Sequence, residues 1–314
     1  MDAISDDKIE NIVVMSCAQI GKTEMLLNLI GYHIDQEPAP MLVVQPTLDM
    51  AATFSRDRLA PMLRDTNCLS GKVKDPRARD SGNTLYTKQF DGGHITLVGS
   101  NSASGLASRP IRLVLFDEVD RYQVTTEGDA IDLARKRAAT FWNRKFVMVS
   151  TPTNRGSSRI EAAFENSDKR EYHVECADCG EHQVMQWANV HWEADRPETA
   201  VYHCEHCGTL WDDAARQRAI KRGKWIATNP LVGVAGFRLS GLCSPWIPLE
   251  EAVRDFLQAK KLPETLRVWV NTYLGETWED QGERIDDFDI ATHRENYGDK
   301  VPEQVVFLTA GVDV

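Results

Sequence analysis

No apolar run in this 314-residue chain reaches the roughly 18 residues that a membrane-crossing helix needs. The opening stretch, MDAISDDKIENIVV, lacks the basic start and apolar core of a secretory signal. Together these absences predict a chain that works in the cytoplasm. Positive charge is also scarce, with 36 Lys and Arg against 47 Asp and Glu and a net charge of −11. That excludes a protein wrapped in nucleic acid on all sides and leaves only local basic patches. The candidates are Arg135-Lys136-Arg137 with Arg144-Lys145, and Arg216, Arg218, Lys221, Arg222 and Lys224. A solvated helix face is the plainer account of each. Internal repeats and low-complexity tracts are absent as well.

What is present is an ordinary globular composition, 42% apolar and 26% charged, enough for a substantial core in one large or two average domains. Short apolar runs alternate with helical patterns. A buried strand is expected at 11–15, a helix at 23–34, a second strand at 40–45 and a helix at 48–63. Two strands around Asp91-Gly92-Gly93 follow, then apolar strands at 111–116 and 146–149 with a helix over 131–142 between them. Apolar runs without period-2 alternation indicate an α/β fold with a mostly parallel sheet flanked by helices. Residues 234–243 read as a strand returning to that sheet, and helices are expected at about 248–260 and 263–275.

Between the first strand and the first helix stands S-C-A-Q-I-G-K-T. It ends as a phosphate-binding loop does, but Ser16 occupies the place of the first glycine in G-x-x-x-x-G-K-[ST]. Strand, loop and helix in that order are the context such a loop requires, and serine is small enough for the position. Expected roles follow from charge. The backbone N–H groups from Cys17 to Lys22, with Gln19 and Gly21 among them, face phosphates. Lys22 neutralises β/γ charge, and the Thr23 hydroxyl ligates Mg²⁺. The apolar strand L-V-L-F ends in Asp117-Glu118, the second half of a nucleotide-hydrolysing site. Asp117 holds the water shell of Mg²⁺, and Glu118 polarises the attacking water. A third strand ends in Ser150-Thr151-Pro152, small hydroxyl residues suited to sensing a γ-phosphate.

Seven cysteines are present, of which Cys17, Cys68 and Cys243 stand alone. Cys176, Cys179, Cys204 and Cys207 form C-x₂-C-x₂₄-C-x₂-C, each pair followed by glycine. Four thiolates aimed at one ion make a closed, structural Zn²⁺ site. A zinc ribbon inserted at about 172–212 is therefore expected, stabilising a segment with little core of its own.

These pieces, with V-G-S-N-S-A-S-G-L-A-S-R-P-I-R-L-V-L-F-D-E-V-D-R-Y, L-S-G-L-C-S-P-W and V-N-T-Y-L-G-E-T-W-E, resemble the large terminase subunit of tailed phages, in particular the lambda-like packaging ATPases. The resemblance runs along nearly the whole chain. It implies a P-loop ATPase over 1–282 that drives viral double-stranded DNA into a procapsid. It also implies Mg-ATP as fuel, a small terminase subunit and the portal as partners, a homo-oligomeric ring when active, and the host cytoplasm as setting. It further implies a linker at 283–304 and, over 305–314, the first strand of an RNase H-like nuclease bearing the metal-binding Asp313. With the other nuclease carboxylates missing, no nuclease activity is expected of these 314 residues. Many terminases carry arginine where Ala18 stands, so a transition-state arginine has to come from elsewhere; Arg109, Arg112 and Arg121 are candidates. The resemblance also implies an adenine-contacting segment before the loop, where only residues 1–15 stand here. Competing hypotheses are a related helicase or translocase, for which no second motor domain has room, and a remnant that keeps the fold and zinc but hydrolyses little ATP.

Overall fold

The computed structural model describes residues 2–73, 82–102, 110–124 and 128–279. The expected linker, the strand with Asp313 and the candidate Arg109 lie outside the described residues.

The apolar runs become strands. A short helix α1 (Asp2–Ser5) leads into β1 (Asn11–Ser16), the phosphate-loop segment, α2 (Lys22–Asp35) and β2 (Met41–Gln45). Helix α3 (Leu48–Phe54) passes through a wider π turn (Ser55–Leu59) into α4 (Ala60–Asp65). The hairpin β3 (Thr87–Phe90) and β4 (Gly93–Gly99) comes next, then β5 (Leu113–Asp117), α5 (Ala130–Arg137), β6 (Lys145–Ser150) and α6 (Arg159–Glu165). After these come β7 (Arg170–Glu175), β8 (His182–Val184), β9 (Val190–Glu193), β10 (Arg196–His203), β11 (Leu210–Trp211) and α7 (Asp213–Lys221). Strands β12 (Lys224–Ala227) and β13 (Val234–Leu239) return the chain to the sheet; α8 (Leu249–Ala259) and α9 (Pro263–Trp269) follow, the last running into a π turn (Val270–Leu274).

The main sheet has the order β12-β7-β13-β1-β6-β5-β2-β4-β3, with β8 paired to β7. Its centre from β7 to β4 is parallel, and β12, β8 and β3 are antiparallel additions. Every residue of β2, β5 and β6 is buried, as expected of strands covered on both faces. One face packs Ile12, Val43, Leu115 and Val147 against α2 and α3. The other packs Val13, Val44, Phe116 and Phe146 with Ala134 of α5 and Ile160 of α6. Such side chains each stabilise the fold by about 1.5–3 kcal/mol on burial. Because the central strands are parallel, the loops after β1, β5 and β6 emerge at one sheet edge, where α/β proteins place their ligands. No described helix is long and apolar enough to cross a membrane.

Three expectations change. The helix expected over 131–142 stops at Arg137, where three basic residues in the last turn suit a helix C-terminus; the chain then turns to begin β6. The cysteine-rich segment, expected as an insertion over about 172–212, begins inside the main sheet: β7 is a parallel partner of β13, and the first cysteine pair lies in the turn between β7 and its antiparallel partner β8. The basic patches divide: Arg218, Lys221, Arg222 and Lys224 are exposed, whereas Arg216, Lys145 and Arg135 are internal ties. Arg216 is 1% exposed and donates to the carbonyls of Leu242 and Ile247 at 2.7 and 2.8 Å. Lys145 donates to the carbonyls of Asp6 and Ile9, and Arg135 lies over the Phe146 ring.

Candidate active site

The phosphate-loop segment is built as strand, tight loop and helix. Ser16 ends β1, is fully buried, and needs no glycine, because positive φ falls instead on Gln19 (55°) and Gly21 (94°). The expectation that all amides from Cys17 onward face phosphates is corrected: Cys17 N–H donates to Leu239 O at 3.0 Å and Ala18 N–H to Thr272 O at 2.7 Å. These two bonds anchor the start of the loop to β13 and to the π turn. The amides of Gln19, Ile20 and Gly21 have no protein partner among the described residues, and those of Lys22 and Thr23 are the orphan donors that every helix start leaves. Five consecutive donors at a helix N-terminus make an anion cradle. Thr23 stands in this first turn, half-buried.

Lys22 lies across the loop. Its Nζ donates to Cys17 O at 2.7 Å and to Thr151 Oγ1 at 2.9 Å, and stands 3.9 Å from Glu118 Oε1. Burial pulls its ammonium below the ordinary lysine value, and Glu118 opposes that pull. Burial likewise pushes the Asp117 carboxyl up, opposed by a 2.9 Å hydrogen bond from Gln45 Nε2. The Cys17 thiol is pushed up to about 11 by burial, so it packs the loop as a neutral group.

Glu118 has φ 54°, left-handed geometry uncommon for a residue with a Cβ. Strained backbone of this kind persists where the surroundings fix it. Its Oε2 is buried without a hydrogen-bond partner, and the nearest cation is Arg121 Nε at 3.7 Å. The following turn is pinned by Arg159, which donates to Tyr122 O at 2.9 Å and pairs with Asp129. Ser150 Oγ accepts from Asp120 N–H at 3.3 Å. The structure thus brings Ser16, Gln19, Gly21, Lys22, Thr23, Asp117, Glu118, Ser150 and Thr151 to one edge. Arg112, in contrast, immediately precedes β5, at the opposite end from Asp117, and is paired with Glu37.

Several contributors carry no local sequence signal. Gln45 orients Asp117 across two adjacent strands. Asn271 Nδ2 donates to Thr153 O at 2.7 Å, and Trp278 N–H to the same carbonyl at 2.9 Å. Gly275 has φ 66°, and a Cβ there would lie 2.6 Å from Cys17 N. Replacing Gly275 by alanine is therefore expected to displace the phosphate loop. A stability loss of about 1–2 kcal/mol from the left-handed backbone alone would be read by thermal melting, together with weaker nucleotide binding; an unchanged melting temperature would contradict this contact.

The four paired cysteines form a second candidate centre. Their Sγ atoms all lie within 4.8 Å of one another, with Cys176–Cys207 at 3.8 Å and Cys179–Cys204 at 3.9 Å. Zn–S bonds of about 2.3 Å in a tetrahedron require S···S spacings of about 3.8 Å, so the donor set fits zinc. The two turns are near copies: Gly180 N–H donates to Cys176 O at 3.0 Å and Gly208 N–H to Cys204 O at 2.9 Å, with φ 75° and 74°.

The family model "Phage terminase large subunit gpA, ATPase domain" matches residues 1–225, and "Terminase large subunit gpA, endonuclease domain" matches 234–314. The second match begins on β13, which is hydrogen-bonded to β1 within the main sheet. The large terminase subunits of Enterobacteria phage P21 and Escherichia phage lambda are each 29% identical to this chain over its whole length, and 53% of each relative is covered. The chain thus spans about half the length of these relatives. Among solved structures, the HK97 large terminase superposes with a TM-score of 0.52 at 14% identity, covering 88% of this chain and 48% of that one. The Thermus phage P74-26 large terminase ATPase domain gives 0.50 at 10% identity, covering 86% and 89%. At these identities the superpositions show the fold alone.

Proposed function

The chain belongs to the gpA family of phage terminase large subunits, and on that premise we propose that its unit Met1–Trp278 is an ATPase driving double-stranded DNA into a procapsid. The observation that carries this is the convergence of Lys22, Asp117 and Glu118 at one sheet edge, with a buried Glu118 oxygen left without a hydrogen bond. The donors from Gln19 to Thr23 hold the phosphates, and Lys22 neutralises charge on the terminal one. Thr23 and Asp117 hold Mg²⁺, which when bound stabilises the charge that spreads over the transferring phosphoryl group. Glu118 Oε2 orients the attacking water and draws off its proton. Lys22 now donates to Thr151; drawn toward a γ-phosphate, it releases that hydroxyl, and the loop after β6 registers the change. Thr153, in the same loop, is tied to Asn271 and Trp278, so the change passes toward the end of the unit.

Zn²⁺ on Cys176, Cys179, Cys204 and Cys207 is structural in this account. It closes the end of an aromatic-rich core in which Trp187 meets Trp269 at 4.7 Å and Phe256 at 5.2 Å between ring centroids. Double-stranded DNA, the small terminase subunit, the portal and a ring of copies are the partners that this function requires. The nucleotide site is tested by binding. The unaltered chain is expected to bind Mg-ATP by calorimetry, and Lys22→Ala to lose most of that affinity. Equal affinity in the two would contradict the phosphate assignment.

A further inference from the structure

Beside the phosphate loop lies a cavity of about 220 Å³ lined by Ser16, Gly21 and Lys22 of the loop and by Met25, Phe237 and Trp225 among others. Its walls are almost wholly apolar. An adjoining cavity shares Ile20, Trp225 and Leu239 and adds Trp246. Trp225 stands on β12, the edge strand, and is held from two sides. Tyr172 on β7 meets it at 5.0 Å and 59°, and Phe237 meets it edge-on at 5.0 Å and 88°. Yet it remains 38% exposed, and Trp246 nearby is 65% exposed. Large indoles braced by other rings but open to solvent beside an anion cradle form a stacking platform; packing alone gives no reason for that exposure.

We propose that this shelf, with Trp225 as its stacking surface, receives the base of the nucleotide whose phosphates the loop holds; the inference rests on the ATPase function proposed above. The occupant follows from continuity, because one cavity is lined both by Gly21 and Lys22 of the phosphate loop and by Trp225 and Phe237. Ligand sites of this kind are largely apolar with a few polar groups that orient the ligand. Apart from the indole N–H of Trp225, the polar side chains of the cavity are Ser16 and Lys22, both of the phosphate-loop segment. Stacking on an aromatic face serves every base, because every base has a π-face. Strong discrimination needs buried groups that hydrogen-bond the ligand's edge. The shelf therefore grips the base without reading its edge, and Mg-GTP is expected to bind within about tenfold of Mg-ATP.

The experiment is calorimetric titration of the chain, Trp225→Ala and Trp225→Phe with Mg-ATP and with Mg-bound inorganic triphosphate, folding being checked by circular dichroism. ATP is expected to bind the unaltered chain more tightly than triphosphate does. Trp225→Ala is expected to weaken ATP about 10- to 100-fold and leave triphosphate unchanged, while Trp225→Phe keeps most of the ATP affinity. A folded Trp225→Ala chain that binds ATP as the unaltered chain does would overturn the base shelf and leave the ATPase assignment standing. Failure of the unaltered chain to bind either ligand would overturn both.

Discussion

Glu118→Gln is expected to lower ATP turnover by about 10²–10⁴-fold, the range for losing a positioned general base, while Mg-ATP binding persists. Glutamine keeps the shape of the side chain and its place 3.9 Å from Lys22 Nζ, but removes the charge that draws a proton from water. The buried Oε2, with Arg121 at 3.7 Å but no hydrogen bond, is the reason to expect so large an effect: desolvating a carboxylate oxygen without a hydrogen bond is costly, and such a group is kept where a ligand is to meet it. Asp117→Asn should behave differently. Asp117 accepts from Gln45 at 2.9 Å, and losing its charge weakens Mg²⁺-dependent binding as well as turnover. Pre-steady-state phosphate release alongside nucleotide titration separates the two. A Glu118→Gln chain with turnover within threefold of the unaltered one would remove Glu118 from the chemistry.

The second large effect is expected at the cysteines. Metal analysis should find one zinc per chain, and Cys176→Ser should lose it. Apparent binding free energies for structural zinc are on the order of 10 kcal/mol in small peptides, comparable to the whole stability of a typical domain. Here the ribbon leans on a core containing Tyr202, Trp211 and Trp269, so part of the fold survives. A loss of several kcal/mol, at roughly 2–4 °C per kcal/mol, lowers the melting temperature by on the order of 10 °C. Hydrogen exchange should quicken in β8 to β11 and leave β5 and β6 protected. A Cys176→Ser chain that keeps its zinc and its melting temperature would show that the four thiols are not a metal site.

How legible these features were in the sequence depends on how local they are. The phosphate loop is a contiguous string whose flanks, V-V-M before and M-L-L after, declare strand and helix by themselves. Asp117-Glu118 ends a run of buried apolar residues, and its meaning comes from that position. Gln45, Asn271 and Gly275 gave no such signal, because each acts on a residue far away in sequence: Gln45 on Asp117, Asn271 on Thr153, Gly275 on Cys17. A glycine before Glu276 reads as a helix end. That it makes room for the phosphate loop is visible only once the π turn Val270–Leu274 packs against the residues after β1. The basic runs read as solvated helix faces, which Arg218, Lys221 and Arg222 are; charge counts do not reveal that the Arg216 guanidinium is spent on two carbonyls. The cysteine spacing was legible, whereas the attachment of β7 to the main sheet was not, because R-E-Y-H-V-E lacks the apolar run of a central strand and is half-buried along most of its length.

The central claim is that Lys22, Asp117 and Glu118 form a working ATP-hydrolysing site. Its most direct test is phosphate release from Mg-ATP by the purified chain, with and without double-stranded DNA. Turnover that rises when DNA is added and disappears in Lys22→Ala is the expected result. No release from the unaltered chain under either condition would contradict the account.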